Sequence, residues 1–435
     1  MRTADLIDEF KKSGKPDKPV LLSLIYRVVG LFLIFLLQVL LARLMGPKNY
    51  GDYTVIITVL NLLLVVSLFG FDSSVLRFLP SAIEKNENGN AFGFIKFSYR
   101  VIMVAALICS VLLFIFLLVY SKKFNIAFSE GLFWGVFLLP IMAFSFQAGS
   151  ILRALRMTKL SLMPAYFLFP VFMAASCWYY FSTYNKLSVD AAMLINLSVS
   201  TVICIFINRR AGKNVKKVLP EQEAVFNPKL WMSVSSILLL TSLLDLLLKQ
   251  SDILMVGYFL GNTKAGIYAV AAKLATLAAL GLSVADYVIM PKIAALYETK
   301  QFSSLQKKIR TASFQILSIS LPVILLLLIF GKPILTFFGS AYSEAYCPLV
   351  ILLVGQLINA GTGMVGGLMT MTGHQRQFLV FYFVAIVIQF LLNALFIKLF
   401  GILGASIGTS IALIFLNICA YQFVKLKLKI RAGIL

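Results

Sequence analysis

Apolar positions in this chain do not alternate with polar ones. They fill whole runs of about twenty residues or more, at 19–45, 52–72, 92–120, 127–149, 160–182, 187–208, 232–260, 264–289, 311–338, 346–370, 377–398 and 401–424. A helix needs about 20 mostly apolar residues to cross a hydrocarbon core about 30 Å thick. The breaks between runs are short and carry turn chemistry, as in Gly46-Pro47-Lys48-Asn49 and Asn86 to Asn90. The pattern therefore predicts an all-α polytopic membrane protein with about twelve transmembrane helices. One break is longer: residues 209–229 are polar and basic, and divide the chain near its middle.

Composition agrees. Of the 435 residues, 60% are hydrophobic and 13% charged, with 37 Phe, and mean hydropathy is +0.93. A soluble domain carries about 25% charged residues, so this chain lacks the polar surface a water-exposed globule needs. The net charge of +22 suggests a nucleic-acid binder only until the cations are placed. With the N-terminus cytoplasmic, most of the 39 Lys and Arg fall in inner segments, including Arg209, Arg210, Lys213, Lys216 and Lys217 of the central stretch. That is the positive-inside pattern. It predicts both termini on the cytoplasmic side, an even number of spans and no nucleic-acid partner. The five cysteines (Cys109, Cys177, Cys204, Cys347 and Cys419) have no metal-ligand spacing and read as small buried hydrophobes. Residues 1–18 lack the short apolar run of a removable signal peptide. Trp178-Tyr179-Tyr180-Phe181 reads as an outer interfacial belt.

The chain also repeats itself. Gly46-x4-Gly51-x-Tyr53 follows the first span and Gly261-x4-Gly266-x-Tyr268 the seventh, an offset of 215 residues. Gly70-x9-Pro80 and Gly281-x9-Pro291 close the second and eighth spans at an offset of 211. Duplication in the same sense predicts two six-helix bundles related by an axis along the membrane normal, with a central cavity between them. The boundaries expected are a tail at 1–18, bundles at 19–208 and 230–424, a linker at 209–229 and a basic tail at 425–435.

The runs LLARLMGPKNYGDYTVIITVLNLL and SDILMVGYFLGNTKAGIYAVAAKLATL resemble the corresponding segments of Wzx-type oligosaccharide flippases. These are polysaccharide biosynthesis (export) proteins of the multidrug/oligosaccharidyl-lipid/polysaccharide exporter superfamily. The resemblance implies a non-enzymatic flippase of the bacterial inner membrane. Its cargo would be an undecaprenyl-diphosphate-linked repeat unit of O-antigen (lipopolysaccharide), capsule or exopolysaccharide. Membrane lipids and H+ or Na+ would be further partners, and the polysaccharide polymerase of such a system a candidate contact. A drug/cation antiporter of the same superfamily is the first alternative, and a membrane glycosyltransferase or polymerase the second. No cofactor is expected. The chain shows no HExxH, phosphate loop or Ser/His/Asp set, and its one histidine, His374, sits in a short polar turn.

Ionisable groups within spans cost about 2.5–3.5 kcal/mol each on insertion scales and so need a partner or a wet cavity. Asp245, Lys249 and Asp252 lie at i, i+4 and i+7 of the seventh span, on one helical face. Ser23, Arg27 and Gln38 form a stripe on the first. Given the cargo that the resemblance implies, Arg27, Lys273 and then Lys249 are candidates to bind the anionic diphosphate, with Arg77 and Arg153 at the inner mouths. Asp245, Asp252 and Asp286 are candidates for ion coupling. The alternative is that Lys249 only neutralises its acidic neighbours and that Arg43, Arg100 and Asp286 snorkel to the interface.

Overall fold

The structure is a computed structural model that describes residues 18–120, 126–219, 222–279, 281–282, 289–290, 293, 296–297, 299, 301–430 and 432–433. Two candidate positions fall outside this: the side chain of Arg27, and Asp286 altogether.

The described residues form helices and no strands. They are α1 (Lys18–Leu68), α2 (Phe71–Glu84), α3 (Asn88–Tyr120), α4 (Ile126–Ala154), α5 (Thr158–Tyr184, through a π-helical turn at Pro164–Leu168) and α6 (Val189–Val218). After the central linker come α7 (Pro228–Leu260), α8 (Asn262–Leu277), α9 (Phe302–Phe338) and α10 (Tyr346–Thr362). The short α11 (Val365–Met371), α12 (Gln375–Phe400) and α13 (Ile402–Phe423) complete the chain. Ten segments among the described residues are long and apolar enough to cross a membrane. The first of these, Val29–Glu84, takes in the second predicted run and most of the first. The eighth run, 264–289, is described as a helix only over Asn262–Leu277 and a few residues beyond.

α1 is a hairpin rather than a rod. Fifty-one residues of straight helix would extend about 75 Å at 1.5 Å per residue, more than twice a bilayer core. Gly46 instead adopts φ 71°, ψ 169°, a region essentially restricted to glycine, and Pro47 restarts the helix. The Tyr50 hydroxyl donates to Gln38 Oε1 at 2.7 Å, which only a chain doubling back at Gly46 allows. Gly261, between α7 and α8, takes φ 86°, ψ 161°. The two halves of the sequence repeat therefore turn through the same backbone conformation, and for the same steric reason. The second pair departs from this. Gly70 is left-handed at φ 74° and caps α2, whereas Gly281 is helical.

The next glycines of each motif bring the two hairpins together. A Cβ on Gly51 would lie 2.0 Å from the Asn262 carbonyl oxygen, and one on Gly266 would lie 2.6 Å from Gly51 Cα. Hydrogen in place of a side chain is what lets α1 and α8 touch backbone to backbone here. Around this contact lie the largest fully buried side chains, Tyr50, Tyr268 and Tyr342. The outward surface is the reverse of a soluble protein. Along α3, Val104, Leu107, Ile108, Val111, Leu112, Leu118 and Val119 are all exposed, as they must be where lipid is the solvent. Trp178 and Tyr179 are exposed near the end of α5. The cysteines are free. Cys109 and Cys177 are buried as expected, but Cys347 is exposed at the start of α10, where a small thiol carries no burial requirement.

Candidate functional site

A cavity of about 1150 Å³ lies between the halves. Its wall draws Gln38, Tyr53, Thr58 and Asn61 from α1, Arg153 and Ser161 from α4 and α5, and Asn196 and Ser200 from α6. The other half supplies Asp245, Lys249, Gln250 and Asp252 from α7, Lys273 and Thr276 from α8, Gln356 and Asn359 from α10, and Tyr382, Thr409 and Asn417 from α12 and α13. The wall is largely apolar, and the polar groups set into it are mostly amides and hydroxyls, which can exchange hydrogen bonds with water or with sugar hydroxyls.

Lys273 is the cation the fold treats most unusually. Its ammonium donates to Gln38 Oε1 at 2.7 Å and to the Tyr50 hydroxyl at 3.5 Å, and it lies 5.7 Å from the centroid of the Tyr50 ring. Among the described residues no carboxylate lies within ion-pair distance of it. Its hydrogen-bonding partners are neutral and come from the opposite half.

The acidic face of α7 divides. Lys249 Nζ is 2.8 Å from both Asp245 oxygens, and Asp245 Oδ1 also accepts from the Tyr382 hydroxyl at 2.8 Å. This pair faces the cavity and neutralises itself. Asp252, one turn further, is 1% exposed. One of its oxygens accepts from Tyr268 at 2.7 Å and from Thr409 at 3.1 Å, and the other from the Ile253 amide at 2.8 Å. Gln389 donates to Thr409 at 3.2 Å. The Gln389 carbonyl oxygen and both polar atoms of Asn393 are buried without a hydrogen-bond partner. Such orphans are expensive in a low-dielectric interior. A carboxylate enclosed in this way can hold or release a proton as its hydrogen-bond partners shift. Among the described residues no group of three His, Cys, Asp or Glu is placed to hold a metal ion.

The other candidates are spread out. Arg153 lines the cavity at the end away from the hairpins and donates to Ser150 at 2.6 Å. Arg77 is exposed on α2 beside the Phe78 ring, 6.0 Å from its centroid, and does not line the cavity. Arg43 donates to the Phe337 carbonyl at the end of α9, and Arg100 sits 5.7 Å from the Phe226 ring centroid. His374 Nδ1 is 3.2 Å from Thr372 Oγ1. Tyr50, Tyr382, Thr409, Gln389 and Asn393 were not singled out from sequence, because uncharged residues in an apolar run give no insertion signal. Tyr268 stood out only as part of a repeat.

The hairpin end of the cavity is shut. Besides the glycine contact, Asn262 donates to Asp52 Oδ1 at 2.7 Å across the halves; within the second half, Lys264 pairs with Glu344 at 2.5 Å.

A family profile described as Polysaccharide biosynthesis protein matches residues 18–297. The chain belongs to that family. No curated protein matches it in sequence. Its fold is shared with solved transporters. An inward-facing multidrug resistance MATE family transporter of the MOP superfamily superposes with TM-score 0.70 at 15% identity, covering 94% of each chain. A Vibrio cholerae MATE transporter mutant gives 0.68 at 14% identity, covering 95% of this chain and 97% of that one. The lipid II flippase MurJ, in an inward closed conformation, gives 0.61 at 15% identity over 92% and 86%. At such identities the likeness establishes the fold, which is that of a multi-pass membrane transporter.

Proposed function

We propose that this family member is a flippase that moves an undecaprenyl-diphosphate-linked oligosaccharide across the bacterial inner membrane. The cargo would be a repeat unit of O-antigen, capsule or exopolysaccharide. The two bundles, 19–208 and 230–424, rock about the cavity while the polyprenyl tail stays in lipid. The observation that carries this reading is Lys273, a half-buried lysine on the cavity wall whose ammonium has only neutral hydrogen-bond partners among the described residues. A diphosphate cannot enter hydrocarbon without something to replace its hydration, and a fixed cation in a wet cleft does that. Lys249 and Arg153 line the same cavity, and Arg27 belongs to the α1 stripe that includes Gln38. Arg153, on the cavity wall, would meet the headgroup first, on the side that the cation distribution assigns to the cytoplasm; Arg77, off that wall beside Phe78, is the weaker candidate. The amides and hydroxyls of the wall offer the glycan hydrogen bonds without demanding charge.

Transport is coupled to an inward cation or proton movement at Asp252, whose buried hydroxyl and amide surroundings support that role. Asp245 is the lesser candidate, because Lys249 occupies it. The drug/cation antiporter reading draws on the same acidic residues and on the MATE-type fold. It gives Lys273 nothing to bind, since a cationic drug is repelled there. Replacing Lys273 with Gln in proteoliposomes distinguishes the two readings. Loss of lipid-linked glycan flipping with cationic-dye efflux unaffected or absent supports the flippase. Retained flipping with altered dye efflux supports the antiporter.

A further inference from the structure

Lys273, Gln38 and Tyr50 close a triangle that the sequence spreads over 235 residues. Gln38 lies on the ascending arm of the α1 hairpin and Tyr50 on the descending arm. Both the Tyr50 hydroxyl and the Lys273 ammonium donate to the same oxygen, Gln38 Oε1, at 2.7 Å each. The ammonium thus reaches from the second half to both arms of the first-half hairpin. Tyr50 is fully buried, and its ring stands edge-on to Tyr342 at 6.0 Å. The residue after it is Gly51, whose backbone is jammed against Asn262 and Gly266. Whatever holds Tyr50 therefore also holds the shut hairpin end of the cavity.

We propose that Gln38 and Tyr50 are positioning residues that form a latch with Lys273: an anionic headgroup that captures the Lys273 ammonium withdraws it from Gln38 and Tyr50 and so frees the hairpin end to open. The proposal rests on the flippase reading, because it takes the headgroup to be the anion. The exchange runs in this direction because a diphosphate oxygen is a charged acceptor. The ammonium's bond to Gln38 is already charge-assisted. A diphosphate oxygen adds the attraction of opposite formal charges, which is large in a partly desolvated cavity, so the ammonium leaves a carboxamide oxygen for it. The Tyr50 hydroxyl still donates to Gln38 afterwards, but that bond lies within α1 and no longer spans the halves. Opening is thereby conditional on cargo. An empty protein stays shut at that end and does not leak the ion gradient.

The test uses the full chain in nanodiscs, with spin labels at Lys48→Cys and Thr263→Cys, exposed positions on the two hairpins. Native cysteines are replaced by Ser. Probes are undecaprenyl diphosphate, inorganic diphosphate and, as control, chloride at equal ionic strength. Without probe the labels should report one short distance. Undecaprenyl diphosphate should populate a longer one, and inorganic diphosphate should do the same if the charge alone suffices. Gln38→Leu should raise the probe-free long-distance population by about tenfold, the effect of losing one charge-assisted hydrogen bond. Tyr50→Phe, which keeps the ring, should raise it less. Lys273→Gln should also open the hairpins without probe and should respond to neither diphosphate, and Lys273→Arg should restore both behaviours. If a diphosphate binds in a Lys273-dependent way but neither it nor Gln38→Leu changes the distance, the latch is wrong and the anion site survives. If neither diphosphate binds, the anion site is wrong, and the probe-free Gln38→Leu distance alone decides whether the contact is a latch. An effect of inorganic but not lipid diphosphate would overturn the assignment of the headgroup as the releasing ligand.

Discussion

Asp252 allows coupling to be separated from structure. Replacing it with Ala removes the acceptor of the Tyr268 hydroxyl, which is fully buried, and of Thr409, which is only half-buried. Thr409 lines the cavity and can turn to water there. Tyr268 has no such escape. A buried donor left unmade costs about 1–3 kcal/mol, and Asp252→Ala should destabilise by about that amount. Asp252→Asn keeps an acceptor oxygen toward Tyr268 and should cost less than about 1 kcal/mol. Removing both partners, as in Asp252→Ala with Tyr268→Phe, should recover most of the loss, because an absent pair costs far less than a broken one. Stability is read by thermal unfolding in detergent, and coupling by flipping in proteoliposomes with an imposed sodium or proton gradient. All three Asp252 variants should lose gradient dependence, whatever their stability. If Asp252→Asn responds to a gradient as the wild type does, Asp252 has no part in coupling. If Tyr268→Phe fails to rescue Asp252→Ala, the buried hydrogen bond is not what the aspartate stabilises.

Other consequences follow from the same geometry. Gly51→Ala places a methyl 2.0 Å from the Asn262 carbonyl oxygen; such overpacking costs about 1–3 kcal/mol. It should shift labelled hairpins toward the separated distance, and an unchanged distance distribution would mean the glycine contact is not tight. Lys249→Ala leaves Asp245 in the cavity with only Tyr382 as partner and should weaken diphosphate binding in titrations. The double change Lys249→Ala, Asp245→Asn should restore much of it; no recovery would make Lys249 a direct ligand rather than a neutraliser. Lys264→Ala breaks an ion pair whose side chains are 42% and 47% exposed, and should alter unfolding by less than about 1 kcal/mol. A larger loss would show that this pair also clamps the hairpin end.

Much of this architecture is legible in the chain because lipid imposes a coarse rule: apolar runs of spanning length, broken by turns. The hairpins are legible for a finer reason. Gly46 and Gly261 each occupy a backbone region that a Cβ forbids, and Gly51 and Gly266 each meet backbone, so both positions hold glycine in both copies and the repeat shows through. The site is less legible. Asp245, Lys249 and Asp252 share a helical face, as their spacing says, and that spacing allows the Lys249–Asp245 pair, but it does not reveal that Tyr382 joins Lys249 on the first acid while Tyr268 and Thr409 enclose the last. Those partners come from α8, α12 and α13, and only packing brings them together. Gln38 and Tyr50 are neutral, so nothing in the charge pattern marks them as partners of Lys273. Arg77 looked equivalent to Arg153 by sequence position, yet α2 turns after Gly70 and leaves Arg77 beside Phe78 while α4 carries Arg153 to the cavity wall.

The central claim is that a cation inside the cavity carries a lipid-bound diphosphate between leaflets. Purified protein in liposomes, loaded with a fluorescent undecaprenyl-diphosphate-linked oligosaccharide and assayed with a membrane-impermeant quencher, reads this directly. Wild-type and Lys273→Arg protein should expose inner-leaflet cargo to the quencher over time, and Lys273→Gln, at equal folded protein, should hold it protected at the protein-free level. Full exposure by Lys273→Gln at the wild-type rate would contradict the account.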